Sequence, residues 1–319
     1  LAATTQSLNY DALLTTTLSA YRKKLEDNIF KANPLFYWLD KGGRKKKQDG
    51  GFQILVPLMY GKNSTAKSYG KYDTLDTTPQ DGMTNAIYPW KHESVSISIS
   101  RPEERQNSGA ARILSLLEGK ISQAENSLIE EVNRQLFLDG TGNGGLDVYG
   151  LALLIEEGSA WGTLAGIDSN VETWWRNIWT NSGSFATQGI NDMRTTYNSA
   201  SKGNQHPDLI LTTQAAFEFY EKVLAANERF TDTTSGDAGF QNLKFKASVM
   251  MYDAYCTSGY MYFVNSEFMD WWVDTETDFV NTPFVRPSNQ DAKVSQILLY
   301  CQLALSNRAR QGVMTAIVA

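Results

Sequence analysis

The residues able to do chemistry are few, and their spacing suits no common reaction. Residues 140–145 read Gly-Thr-Gly-Asn-Gly-Gly, formally G-x-G-x-x-G. A dinucleotide site needs that pattern after a strand and at the start of a helix, where free amides cradle a pyrophosphate. Here it follows a helical stripe, so it reads as a helix-terminating loop. Gly-Lys is never followed by Ser or Thr, which removes a Walker phosphate loop. Asp274, Glu276 and Asp278 alternate with Thr275 and Thr277. Such carboxylates could bind a cation or do acid–base work; more often they form the solvated face of a strand. His92 and His206 lie far apart, with no Ser or Cys motif beside either, so no catalytic triad is predicted. Cys256 and Cys301 have neither metal nor disulfide-framework spacing, which fits a reducing compartment. Asn63-Ser64-Thr65 is a formal glycosylation sequon that carries little weight without a secretory signal. No catalytic, cofactor-binding or metal-binding residue is predicted, and the chain is expected not to be an enzyme.

Two other groups suit contact better than catalysis. Lys41, Arg44, Lys45, Lys46 and Lys47 could meet phosphates or an acidic neighbouring subunit, although an exposed, solvated turn is the plainer reading. Trp161, Trp174, Trp175, Trp179, Trp271 and Trp272 read first as core and second as intersubunit contacts, where Trp is enriched.

The bulk composition sets wider limits. The 319 residues are 42% hydrophobic and 20% charged, enough for a sizeable core and more than one domain. A net charge of −6 disfavours a basic nucleic-acid reader. No run approaches the roughly 20 apolar residues of a membrane helix, and no signal peptide is evident.

The pattern of apolar residues then predicts the elements. Leu14, Leu18, Tyr21, Leu25 and Ile29 recur at helical spacing, and Asn33-Pro34 stops that stretch. Leu35 to Leu39 is an aromatic patch. Residues 52–60 read as a strand. In residues 91–100, Val95, Ile97 and Ile99 alternate with Ser94, Ser96, Ser98 and Ser100, the two-residue period of a strand. Residues 61–88 between them are long and polar. The expectation is a projecting hairpin arm that finds its surface on another subunit, since two strands cannot bury a core alone. Ser100 and Glu103 have capping-box spacing, with Pro102 in the first turn. Ile113, Leu114, Leu117, Ile121, Ala124, Leu128, Val132 and Leu136 continue as one helical stripe. A continuous helix over residues 103–138 would be roughly 50 Å long, ending at Asp139-Gly140. Residues 140–250 read as mixed α/β, with a buried strand at 209–211, a helix over 214–227 and a polar loop at 231–239. Residues 249–318 read as strand-rich, and 294–305 as a buried strand or short helix.

The order of these parts resembles one family. The matching residues run from Asn33-Pro34-Leu35 and Asp49-Gly50-Gly51 through Tyr88-Pro89-Trp90 to Glu104-Arg105-Gln106-Asn107-Ser108-Gly109. They continue at 136–142 (Leu-Phe-Leu-Asp-Gly-Thr-Gly), Gly150-Leu151, Trp174-Trp175-Arg176-Asn177 and Pro207-Asp208-Leu209-Ile210. They close with Met261-Tyr262-Phe263-Val264-Asn265, Ser306-Asn307-Arg308 and Gln311-Gly312-Val313. In that order the chain resembles the major capsid proteins of tailed bacteriophages with the Hong Kong 97-type fold.

The resemblance implies an α+β chain in six parts. They are an N-terminal arm (1–47), an extended loop (48–100), a spine helix (101–139), an axial domain (140–260), a peripheral sheet (261–306) and an axial return strand (307–319). It implies self-assembly into pentamers and hexamers of an icosahedral head that encloses double-stranded DNA. An encapsulin-type shell is the alternative, and an α/β enzyme a remote one. Implied partners are other copies of the chain, a scaffolding protein, a portal, in some cases a decoration protein, and packaged DNA bound without sequence specificity. No cofactor and no membrane are implied. The implied location is the virion, assembled in the bacterial host cytoplasm. Some relatives crosslink a loop lysine to a neighbour's asparagine, and Lys62, Lys67 and Lys71 fall in the matching loop.

Overall fold

A computed structural model describes residues 33–106, 116–158, 161–224 and 243–318. The helical stretch expected from Leu14 to Ile29, the polar loop at 231–239 and the 107–115 portion of the long helix lie outside the described residues.

The chain enters through α1 (Pro34–Lys41), with Pro34 in its first turn, where a missing N–H costs nothing. Asn33-Pro34 therefore opens a helix here. Leu35, Phe36 and Leu39 face inward, which explains the aromatic patch. Next comes β1 (Lys45–Gln48), although the basic run reads as an exposed turn in sequence. It pairs in parallel with β12 (Met269–Asp274), Lys45 opposite Trp271 and Gln48 opposite Asp274. The lysines tolerate a strand because carboxylates meet them: Lys45 bonds Asp40 (2.9 Å) and Asp278 (2.8 Å), Lys46 bonds Asp270 (2.7 Å) and Lys47 bonds Asp278 (3.1 Å).

Among the described residues, β1, β12, β13 (Val280–Asn281), β14 (Ala292–Leu305) and β4 (Lys91–Ser100) form one sheet. The 294–305 run is thus part of a strand, β14, which is roughly 45 Å long at 3.3 Å per residue. All of β4 pairs antiparallel with β14, from Lys91↔Cys301 to Ser100↔Ala292. Ile97 and Ile99 are buried while Ser94, Ser96 and Ser98 are exposed, as the alternation predicts. β4 leads directly into α2 (Arg101–Gln106), and the capping box forms: Glu103 accepts the Ser100 amide at 3.0 Å and its own amide donates to Ser100 Oγ at 3.4 Å. The stripe resumes in α3 (Leu116–Gln135), where Ala124, Leu128 and Val132 are buried, with Leu136 just beyond. Lys120 reaches from α3 to the Ser98 carbonyl (3.0 Å), capping an edge group of β4. The helix ends into Gly140 at φ +73°, a conformation natural to glycine.

A second sheet has the order β7 (Ile178–Asn181), β15 (Gly312–Thr315), β11 (Met261–Val264), β8 (Leu209–Thr212), β10 (Ser248–Tyr252), β9 (Leu243–Phe245). Its central strands are buried on both faces, so they read as unbroken apolar runs. Leu209, Leu211, Tyr262 and Val264 join the main core with α1, α3 and the first sheet. Ile210, Met261 and Phe263 face a second core closed by Met193 and Tyr197 of α4 (Ile190–Ala200) and Phe217 and Tyr220 of α5 (Gln214–Leu224).

Candidate assembly surface

The projecting hairpin exists, but its strands are not the expected pair. Gln53–Met59 forms β2, and it pairs antiparallel with β3 (Met83–Pro89), from Gln53↔Pro89 to Met59↔Met83. β4 belongs instead to the first sheet, so a strand of that sheet lies inside the 48–100 segment. In sequence β3 is hidden because Asn85 and Pro89 are poor strand residues. Part of the 61–88 segment also packs on its own body. Tyr88 and Ala86 are fully buried with Ile54, and Val56 and Leu58 nearly so, all in the main core.

The opposite face of the hairpin is bare. Leu55 stands across from Ile87 and Met59 across from Met83, with exposures of 56%, 38%, 80% and 74%. Pro57 with Asn85 and, at the base, Gln53 with Pro89 complete that face, which carries no charge. Four apolar side chains in register on an open face form a patch of the kind soluble surfaces avoid unless something covers it. No further strand pairs with β2 or β3 among the described residues.

Three contacts anchor the root of the arm. Tyr88 Oη bonds both the carbonyl (2.9 Å) and the amide (3.1 Å) of Leu305. The Ile87 amide donates to the Ala165 carbonyl (2.9 Å), in the small hairpin of β5 (Thr163–Leu164) and β6 (Ile167–Asp168). Tyr60 stacks on Trp174, centroids 5.2 Å apart and planes 11° off parallel. Beyond this root, Gly61 and Gly82 pass so closely that a Cβ on Gly61 would lie 3.0 Å from Gly82 Cα. Residues 66–81 are exposed throughout, Tyr69, Tyr72 and Leu75 included. The loop holds itself by short-range bonds. Asn63 Oδ1 accepts from Thr65, Asp73 from the Gly70 amide (2.5 Å), Asp76 from Thr78, and Gln80 from Ser64 (2.8 Å). Hydrogen bonds from Thr78 keep the Asp76 carboxyl below its usual range. Asn63 of the sequon is thus a turn residue. Lys62, Lys67 and Lys71 are exposed on this loop.

The other candidate residues make structural contacts. The glycine-rich loop follows α3, with Asn143, Gly144 and Gly145 at positive φ, and the Gly145 carbonyl accepts from Lys91. Asp274 closes a turn by accepting from Glu276 N (3.2 Å) and Thr277 Oγ1 (2.7 Å), so the acidic cluster is a turn instead of a strand face, and Asp278 holds Lys45 and Lys47. His92 packs edge-on to Tyr300, and His206 lies near Tyr197. Both cysteines are buried, and burial pushes their thiols up. Trp175 and Trp271 are core, whereas Trp179 is 36% exposed. Among the described residues no three metal-ligating side chains converge, and no helix is long and apolar enough to cross a membrane.

One important residue stands in the sequence only as part of the Ser306-Asn307-Arg308 match, with nothing nearby to indicate its role. Arg308 is fully buried and binds Leu154 O (2.8 Å), Leu153 O (3.3 Å), Ser169 Oγ (2.9 Å) and Glu156 Oε2 (2.9 Å), with its guanidinium over Trp161. It ties the 151–169 region to the turn between β14 and β15.

A long helix on a five-stranded sheet, a mixed six-stranded sheet and a projecting hairpin together make this the Hong Kong 97-type fold of tailed-phage capsid proteins. No protein-family model matches the chain, and no curated protein matches it in sequence. Solved structures do. The cyanophage A-1(L) capsid asymmetric unit is similar over 94% of this chain and 96% of that one, with a TM-score of 0.72 at 17% identity. The holo-SrpI encapsulin complex of Synechococcus elongatus is similar over 99% and 96%, with a TM-score of 0.61 at 10% identity. The capsid of the myovirus phage XM1 is similar over 92% and 95%, with a TM-score of 0.58 at 11% identity.

Proposed function

We propose that the chain is a major capsid protein that self-assembles into the pentamers and hexamers of an icosahedral phage head around double-stranded DNA. The observation that carries this reading is the hairpin, with one face fused to its own core and the other apolar and uncovered. A second copy of the chain covers it. Such a contact joins unlike patches, so it closes into rings or continues into a shell. In this reading residues 53–89 are the extended loop, α2 and α3 the spine, the five-stranded sheet the peripheral domain and the six-stranded sheet the axial domain. The subunit does no chemistry. A scaffolding protein and a portal act with it, and the finished location is the virion, assembled in the host cytoplasm. A net charge of −6 suits a container that must release its DNA.

The encapsulin-type shell is the second reading, supported by the likeness to the SrpI complex. Portal and terminase genes beside this one favour the phage head, and a cargo-enzyme gene favours the compartment.

The direct test compares the full chain with a variant that joins Gly61 to Gly82 and lacks residues 62–81. Sedimentation and electron microscopy should show closed shells from the full chain, produced with its scaffolding protein. The deletion should leave a folded subunit, with unchanged circular dichroism, that builds no normal shells. Normal shells from the deletion, or a full chain that stays monomeric at high concentration, overturn the reading.

A further inference from the structure

The chain has eight methionines. Met193, Met250, Met251, Met261, Met269 and Met314 are buried, at 4% exposure or less. Met59 and Met83 are 80% and 74% exposed and directly opposed in register, on the one hairpin face its own body leaves bare. The next pair on that face is Pro57 and Asn85 and the one after it Leu55 and Ile87, and the face carries no charge. Two thioethers at this spot are chemically conspicuous. Methionine is the most adaptable apolar side chain, suited to a face that must fit copies in slightly different settings, and the apolar side chain most easily made polar.

We propose that Met59 and Met83 are a peroxide-sensitive pair: oxidation of their sulfurs to sulfoxides stops the arm from docking on a second copy of the chain. In the reaction a sulfur lone pair attacks one peroxide oxygen and the O–O bond breaks. That oxygen stays on sulfur and gives up its proton, and the other leaves as hydroxide and takes that proton to give water. The thioether loses two electrons and the peroxide gains them. Each sulfoxide adds a strong acceptor to a face where, from Leu55 to Met59 and Met83 to Ile87, Asn85 is the one side-chain donor for two new oxygens, which disfavours burial. The second copy is the occupant because an uncharged apolar strip suits an equally dry surface, and because the solved capsids share this fold. The inference rests on the shell-subunit reading above.

The test uses the free full-length subunit and hydrogen peroxide. Peptide mass spectrometry should find one added oxygen on Met59 and on Met83 at least about tenfold faster than on the six buried methionines. The yield of shells should fall about tenfold, and methionine sulfoxide reductases should restore it. The double variant Met59→Leu/Met83→Leu keeps the apolar face without sulfur, so whatever shell yield it reaches untreated, peroxide should leave that yield unchanged. The proposal is overturned if subunits with both sulfoxides assemble as untreated ones do, or if the leucine variant loses assembly to peroxide as the parent does. Should that variant not fold, failure of the reductases to rescue the oxidised parent overturns the proposal instead. Assembly of oxidised subunits alongside assembly failure of the 62–81 deletion defeats this inference alone. Normal shells from the deletion defeat the reading beneath it.

Discussion

Tyr88 holds Leu305 by both backbone groups, its hydroxyl donating to the carbonyl and accepting from the amide across 217 residues of sequence. This pairing fixes the root of the arm to the end of β14. Tyr88→Phe keeps the ring and removes both bonds. We expect a loss of about 1–3 kcal/mol, because the backbone groups stay buried. Urea unfolding of the subunit checks it, and an unchanged midpoint contradicts the role.

Arg308→Met should cost more. The guanidinium satisfies two carbonyls and a hydroxyl, and its charge answers Glu156. Removing one partner of a buried pair costs about 3–5 kcal/mol. Arg308→Lys should recover little, since an ammonium cannot span the same fork of acceptors. Full thermal stability in Arg308→Lys would contradict this.

Glu93 gives a pH signature. Burial, helped by Asp147 and Glu131, pushes its carboxyl up to about 6 from 4.5, against the Gln135 hydrogen bond and Arg134. A folded pKa above the unfolded one favours the protonated form in the folded state. The contribution of Glu93 is therefore complete below pH 4.5 and lost as pH rises through about 6. Between these values the parent should lose melting temperature relative to Glu93→Gln, and above them the difference should stay constant. Parallel curves across the window would contradict the assignment.

What was legible in the sequence was what neighbouring residues decide. The serine alternation placed β4, the Ser100–Glu103 spacing placed the start of α2, and Leu209–Leu211 placed a buried strand. What escaped depends on residues far along the chain. Lys45 to Lys47 look like a solvated turn until Asp270 and Asp278 are brought beside them. β3 looks like loop until β2 lies against it, and β4 finds its partner about 200 residues later. The arm was readable as an arm because its tip is long and polar. Its bare apolar face was not, because Leu55, Met59, Met83 and Ile87 become one strip only through the register of pairing.

The placement of Ile54, Val56, Leu58, Ala86 and Tyr88 in the main core has a consequence for growth of a shell. In the shell proposed above, each copy forms this core before it meets another, and none of these five residues is lent to a neighbour. Joining and leaving are then steps taken by finished units. In that reading a copy seated at a wrong angle detaches without unfolding and tries again, so accuracy in the lattice comes from repeatable contacts and not from a first attempt that must succeed.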